Sequence, residues 1–128
     1  MKLVICEKPS VAKAVASALG VTSRADGCFE GNGLIVSWCV GHLVSPMDAA
    51  GYDPGYKKWK YDDLPILPEP FRYVLAKDKE DAFQNLKRLM DRVDVTELVN
   101  ACDAGREGEL IFRLVYEMAG CRKPFSRL

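Results

Sequence analysis

The chain has 128 residues, enough for one domain with its own hydrophobic core. Hydrophobic residues make up 48% of it, which excludes an intrinsically disordered chain. Basic and acidic residues number 18 each, so any binding of a polyanion depends on local patches of charge. The apolar run at residues 3–6 is too short for a signal peptide and no run could span a membrane, so we expect a cytoplasmic protein. None of the five cysteines forms a C-x-x-C pair, which argues against a zinc or redox motif and for buried, inert thiols.

Strand and helix patterns alternate along the chain. The apolar run at residues 3–6 predicts a strand buried on both faces, and Ser10 is predicted to cap the helix that follows. Residues 27–40 predict a β-hairpin around a Gly-Asn-Gly turn. Residues 45–70 contain five prolines and many aromatic residues. We expect this segment, called the excursion below, to be a long ordered path over the surface.

Regular patterns resume after the excursion. A strand is predicted at residues 72–76 and another at residues 97–102, each followed by an amphipathic helix, the second of which ends at Gly120. Such alternation predicts an α/β fold in which helices flank a parallel sheet on both faces. Binding sites in these sheets form at the carboxyl ends of the strands. The first of the two helices is predicted to bury Phe83, Leu86, Leu89 and Met90.

The most informative segment is Asp-Ala-Gly-Arg-Glu-Gly-Glu at residues 103–109, called the acidic turn below. Crowded carboxylates repel one another, so folding alone has little reason to gather three of them within seven residues. A divalent cation that prefers hard oxygen ligands, Mg²⁺ or Ca²⁺, converts that repulsion into binding. The first strand ends on Glu7 and Lys8. Two strand ends of one sheet are therefore predicted to form a single acidic site with a lysine beside it.

Five segments occur along the chain in a fixed order. They are Cys-Glu-Lys-Pro-Ser at residues 6–10, Gly-His-Leu at 41–43, the tryptophan and Leu-Pro-Ile-Leu-Pro passage at 59–68, the acidic turn, and Lys-Pro-Phe-Ser-Arg-Leu at 123–128. Together they resemble the Toprim domain of type IA DNA topoisomerases, particularly the topoisomerase III branch. The resemblance covers essentially all of residues 1–128, which we interpret as one Toprim domain at the N-terminus of a longer enzyme. It implies that the catalytic tyrosine lies in a later domain.

The resemblance implies roles for five residues at the two strand ends. Glu7 would exchange a proton with the 3′ oxygen of the cut strand, and Lys8 would neutralise the scissile phosphate. Arg106 would hydrogen-bond a phosphate. Asp103 and Glu107, together with Glu7, would hold Mg²⁺.

Three nearby positions are less determined. Gly105 stands where the usual family pattern Asp-x-Asp-x-Glu has its second aspartate, so we expect one loosely held Mg²⁺. Glu109 either belongs to the site or only stabilises the helix dipole. His42, the only histidine, either lies near the site, where it is a weak candidate for DNA binding, or has a structural role.

A weaker candidate for DNA binding is the segment around Lys58 and Trp59, where basic and aromatic residues alternate. Aromatic stacking and phosphate contacts of this kind suit single-stranded DNA. The alternative, which we favour, is that the aromatic residues anchor the excursion to the core while the lysines are solvated.

The sequence therefore indicates the metal-binding, acid/base half-site of a type IA topoisomerase. The parent enzyme would cleave and religate single-stranded DNA through its remaining domains, and the isolated chain would not cleave. We expect Mg²⁺, no small-molecule cofactor and no membrane partner. One alternative is a Toprim nuclease or primase-like domain, ranked lower because such domains lack the Glu-Lys-Pro-Ser opening with a proline-rich excursion. The other is a non-catalytic module that binds DNA or phosphate.

Overall fold

The computed structural model describes residues 1–128, which form eight strands and four α-helices. The strands are β1 (Lys2–Cys6), β2 (Ser23–Ala25), β3 (Cys28–Gly31), β4 (Leu34–Trp38), β5 (Val44–Pro46), β6 (Tyr73–Leu75), β7 (Glu97–Ala101) and β8 (Phe125–Arg127). The helices are α1 (Pro9–Ala18), α2 (Ala49–Tyr52), α3 (Glu80–Asp91) and α4 (Arg106–Met118), with short 3₁₀ helices at Pro54–Lys57 and Tyr61–Asp63. Six strands form one sheet in the order β2-β3-β4-β1-β7-β8, and β5 pairs with β6 in a second, antiparallel sheet.

β1 lies at the centre of the large sheet because its side chains are apolar on both faces. Residues 3–6 are each exposed by 5% or less. β1 pairs in parallel with β4 and β7, and β8 pairs in parallel with β7. Cys6 lies opposite both Trp38 of β4 and Ala101 of β7, so these three strands end at the same level. We call this edge of the sheet, with the turn that follows each of the three strands, the rim.

Helices cover both faces of the sheet, which confirms the predicted fold class. On one face, α1 packs Ala12 and Ala16 against β1 and β4. On the other face, α3 and α4 bury the larger core around Phe112, which is fully buried. None of the helices combines the length and the apolar composition that crossing a bilayer requires. The buried side chains of α3 are the predicted ones, Phe83, Leu86, Leu89 and Met90.

The predicted β-hairpin is formed by β3 and β4. Asn32 and Gly33 connect the two strands with φ angles of 52° and 76°, the left-handed values that a two-residue type I′ turn requires. β2 extends the hairpin on the outer edge of β3. That strand was not predicted because its three residues, Ser-Arg-Ala, carry no apolar alternation.

Three local features differ from the expectations. The predicted Ser10 cap was wrong: Lys8 is the N-cap of α1 and Pro9 opens the helix, where its missing N–H needs no partner. The strand predicted at residues 72–76 forms, but it belongs to the small sheet and not to the large one. β8 was missed, because three residues are too few to show a period.

The excursion is ordered, and the small sheet joins the chain on either side of it, where Val44 lies opposite Leu75. The Tyr52 hydroxyl accepts a hydrogen bond from the Arg72 backbone N–H at 2.6 Å. The Arg72 guanidinium also lies 4.7 Å from the centre of the Tyr52 ring. An apolar cavity of about 410 Å³ is lined entirely by residues 46–71. The excursion therefore packs in large part against itself.

Candidate active site

The rim brings together the turns that follow β1, β4 and β7. Glu7 follows β1, His42 lies in the turn after β4, and Asp103 lies in the turn after β7. The backbone N–H of Gly41 donates to the carbonyl oxygen of Glu7 at 3.3 Å, which ties the first two turns to each other. Parallel strands that end at one level thus collect polar residues from distant parts of the chain.

Glu7 and Asp103 meet at the rim although 96 positions separate them in the sequence. The backbone N–H of Asp103 donates to Oε2 of Glu7 at 3.3 Å. This bond orients the Glu7 carboxylate toward the beginning of the acidic turn. Glu7 is half-buried, whereas Asp103 is exposed.

Glu107 contacts His42 on the same side of the rim. Nε2 of His42 and Oε1 of Glu107 form a hydrogen bond, and the two side chains are 39% and 69% exposed. Glu107 belongs to the first turn of α4, so the pair joins that turn to the segment after β4. His42, whose place the sequence left open, therefore lies beside a predicted metal ligand.

Gly108 determines how closely α4 approaches the acidic turn. A Cβ atom at this position would lie 2.2 Å from the carbonyl oxygen of Asp103 and 2.7 Å from its nitrogen. Only glycine therefore fits at position 108 while Asp103 keeps its place. At Gly105, in contrast, a Cβ atom would meet nothing within 4 Å and φ is −107°, so the fold leaves room for a side chain there.

The carboxylate of Glu109 is bound by three side chains of the domain itself. Nε of Arg113 donates to Oε1 at 2.8 Å. Nη1 of Arg127 and Nδ2 of Asn100 donate to Oε2 at 2.8 and 2.9 Å. The hydrogen bond from Arg113, followed by the charges of Arg113 and Arg127, lowers the pKa of Glu109 against the opposing effect of burial. Glu109 therefore anchors the start of α4.

Arg127 and Asn100 attach the acidic turn to the sheet, and neither was predicted. Nη2 of Arg127 donates to the carbonyl oxygens of Cys102 at 3.1 Å and Asp103 at 2.6 Å. Oδ1 of the fully buried Asn100 accepts the Cys102 N–H at 3.1 Å, while its amide nitrogen donates to Glu109. The sequence did contain one signal for Asn100, because an asparagine inside an apolar strand needs hydrogen-bond partners when it is buried.

Three thiols form the floor beneath the rim. Cys6 and Cys39 are fully buried and Cys102 is 5% exposed. Burial, helped by the neighbouring Cys102, raises the pKa of Cys6 to about 12. A hydrogen bond with Cys102, followed by burial, raises the pKa of Cys39. Cys6 and Cys39 are therefore neutral near pH 7, as expected of thiols that serve as small buried side chains.

The donor chemistry of the rim suits a hard cation held in an open site. Glu7, Asp103 and Glu107 offer carboxylate oxygens, and Mg²⁺ is commonly held by one or two such groups together with several waters. No three His, Cys, Asp or Glu side chains in residues 1–128 lie close enough to enclose an ion. Glu107 is directed toward His42 instead. The residues thus fit a water-rich site and do not form a closed cage.

The other predicted residues divide between the rim and the excursion. Lys8 is the exposed N-cap of α1 and directly follows Glu7, and Arg106 is the exposed first residue of α4 and belongs to the acidic turn. Lys58 and Trp59 lie in the excursion. Trp59 is 73% exposed and lines the apolar cavity, none of whose residues belongs to the acidic turn. Trp59 therefore has neighbours within the excursion and shares this cavity with no residue of the acidic turn.

The fold and the rim define the class of protein, which is an α/β domain with carboxylates at the carboxyl ends of the parallel strands of its sheet. The model of the Toprim domain matches residues 2–128, and the chain belongs to this family. The resemblance inferred from the sequence is thereby confirmed.

Curated relatives cover nearly the whole chain. DNA topoisomerase 3 of Shouchella clausii (strain KSM-K16) is 45% identical over 127 residues, which are 99% of this chain and 17% of the relative. DNA topoisomerase 3 of Bacillus subtilis (strain 168) is 43% identical and that of Staphylococcus epidermidis is 40% identical, each over 98% of this chain. The chain therefore spans only 17 to 18% of the length of these relatives.

Proposed function

We propose that this domain supplies the acid/base and metal-binding half of the active site of a type IA DNA topoisomerase III, and that the reactive tyrosine belongs to another domain of the parent protein. The contact of the Glu7 carboxylate with the Asp103 N–H supports the proposal most directly. A group that moves a proton must lie next to the groups that position the phosphate. The names of the relatives, DNA topoisomerase 3, support the same reaction.

In this reaction the oxygen of a deprotonated tyrosine attacks a phosphodiester of single-stranded DNA, and the bond between phosphorus and the 3′ oxygen breaks. The 3′ oxygen needs a proton on cleavage and loses it on religation. Glu7 gives this proton and takes it back. Lys8 supplies positive charge at the phosphate, and Arg106 donates hydrogen bonds to its oxygens.

Asp103 and Glu107, with Glu7, are the residues that would hold Mg²⁺. The ion would add positive charge where the phosphate is bound. Gly105 offers no oxygen from a side chain, so we propose that binding is weak and that waters complete the coordination.

The first test is metal binding by the 128-residue chain, measured as displacement of Mn²⁺ by Mg²⁺ in electron paramagnetic resonance. We expect Asp103→Asn and Glu7→Gln to weaken binding by about tenfold, as loss of a carboxylate ligand would. Gly105→Asp should strengthen binding, since open space at this position can receive a further carboxylate. Glu117→Gln, an exposed carboxylate in the second half of α4, is the matched control and should change nothing. Equal affinity for the wild type and Asp103→Asn would contradict the metal role.

The second test supplies the missing domains. The chain replaces the matching segment of Bacillus subtilis DNA topoisomerase 3, to which it is 43% identical. We expect the chimera to cleave single-stranded DNA and Glu7→Gln to lower the rate by about 100-fold or more, the usual contribution of a general acid. If the chimera folds but is inactive, the catalytic proposal is wrong, and the domain is instead a module that binds phosphate or DNA. Nicking of DNA by the isolated chain would instead favour a nuclease.

A further inference from the structure

A cavity lies along the acidic turn, four of whose residues line it. Its volume is about 450 Å³, and its lining includes neither Glu7 nor His42. The cavity is shallow and open to solvent. Three of its seven lining residues are arginines, and its one acidic residue is Glu109. The arginines therefore exceed the acids by two positive charges.

Arg113 is held in place but keeps its terminal donors free. Its Nε donates to Glu109 at 2.8 Å, and its guanidinium lies 4.7 Å from the centre of the Phe125 ring. The hydrogen bonds of the domain use neither Nη1 nor Nη2 of Arg113. The side chain is 52% exposed, so these two nitrogens are accessible to a ligand. A guanidinium fixed on one edge loses little conformational entropy when its other edge binds an anion.

The other two arginines complete the charge of the cavity. Arg127 is fixed by its bonds to Glu109 and to the carbonyl oxygens of Cys102 and Asp103. Arg106 opens α4 and makes no hydrogen bond or ion pair through its side chain, so its five donors are free. Leu110 also lines the cavity and is 46% exposed, which gives the site an apolar wall. Guanidinium groups next to an apolar side chain match a phosphate with its attached sugar.

We propose that this cavity binds a second phosphate of the DNA strand, next along the strand from the phosphate at the rim. Arg113 is its main donor and Arg127 contributes mainly by its charge. Arg106, between the rim and the cavity, faces both phosphates. DNA as the ligand rests on the proposed function, whereas the arginine site itself is independent of the metal chemistry at the rim.

The test is binding of a fluorescein-labelled oligonucleotide of eight thymidines, followed by anisotropy at several salt concentrations in the presence of EDTA. We expect Arg113→Gln, which can still donate to Glu109, to weaken binding by about fivefold. The slope of log K against log salt should become shallower by about 0.7, the value for one lost phosphate contact on a single strand. Arg113→Lys, which keeps the charge, should restore most of the affinity.

The matched control is Arg24→Gln, which removes the same charge from β2, at the opposite edge of the sheet from β8. It should leave affinity and salt slope unchanged. Equal losses for Arg24→Gln and Arg113→Gln would overturn the proposal, since binding would then reflect overall charge alone.

Two further measurements complete the test. The first distinguishes a DNA strand from free phosphate as the ligand, and the second distinguishes the phosphate site from the proposed function. Inorganic phosphate and thymidine monophosphate should compete only weakly, and competition as strong as that of the unlabelled oligonucleotide would overturn the assignment to a DNA strand. Arg113→Gln should leave the displacement of Mn²⁺ by Mg²⁺ unchanged. If Asp103→Asn has no effect on the metal while Arg113→Gln still weakens the oligonucleotide, the proposed function fails and the phosphate site stands.

Discussion

The rim and the excursion both consist of irregular chain, yet the protein holds them in different ways. The acidic turn is bound at its backbone by Glu7 and Arg127, and the buried side chain of Asn100 donates to its Glu109. In the excursion, Trp59 and Tyr61 are 73% and 92% exposed, and its apolar cavity is lined by its own residues. One region is fixed by the ends of buried strands, and the other is held mainly by local contacts.

This difference follows from what each region can use as support. Groups that carry out chemistry must keep their positions to within a fraction of an ångström, and the ends of central strands provide that rigidity. The excursion leaves the sheet after β4 and returns before α3, so few of its side chains reach the main core. We therefore expect substitutions at the rim to cost more stability than comparable ones in the excursion.

The largest effect is expected for Gly108→Ala. The added methyl group would lie 2.2 Å from the Asp103 carbonyl oxygen, so either α4 or the acidic turn must move. We expect the free energy of unfolding to fall by about 3 kcal/mol, as for other overpacked sites. Urea denaturation followed by circular dichroism measures this. Gly105→Ala, with nothing within 4 Å of the new methyl group, is the matched control and should cost less than about 1 kcal/mol. Similar losses of unfolding free energy for Gly108→Ala and Gly105→Ala would show that the close approach of α4 to Asp103 does not affect stability.

A smaller effect that depends on pH is expected for Glu109→Gln. The pKa of Glu109 is lower in the folded than in the unfolded chain, because Arg113 and Arg127 bind its ionised form. Ionised Glu109 therefore stabilises the fold above the unfolded pKa of about 4.3, and this contribution disappears as the pH falls through the folded pKa. We expect Glu109→Gln to lower stability by about 1 kcal/mol at neutral pH, since the pair is partly exposed. The difference should vanish in acid. Urea unfolding of the wild type and Glu109→Gln over a series of pH values tests this expectation. A difference in stability that stays constant with pH would show that ionised Glu109 is not the stabilising form.

The smallest effect is expected for Trp59→Ala in the excursion. Because this side chain is 73% exposed, its removal should cost about 1 kcal/mol or less. Trp59 lines a cavity within the excursion and is not part of the main core, so we expect only a local packing role and an unchanged affinity for the eight-thymidine oligonucleotide. A clear loss of that affinity without loss of stability would show that the excursion stacks on DNA bases.

Much of the fold could be predicted because apolar periodicity reports directly on burial. The strand at residues 3–6 and the hairpin turn at Asn32 and Gly33 follow from local composition alone. The elements that were missed, β2 and β8, have three residues each and gain their structure only by pairing with a longer neighbour. The small sheet of β5 and β6 was not predicted as a separate unit for the same reason.

The sequence by itself determined that acids would gather at the ends of buried strands, because Glu7 and Asp103 each follow an apolar run and parallel strands end on one edge. It could not assign Glu109 to Arg127 or Glu107 to His42. Only the tertiary structure decided those pairs, since hydrogen bonds need contacts within about 3 Å and depend on strand order and register. Local patterns specify which face is buried, whereas the partner of a polar group is set by residues far away in the chain.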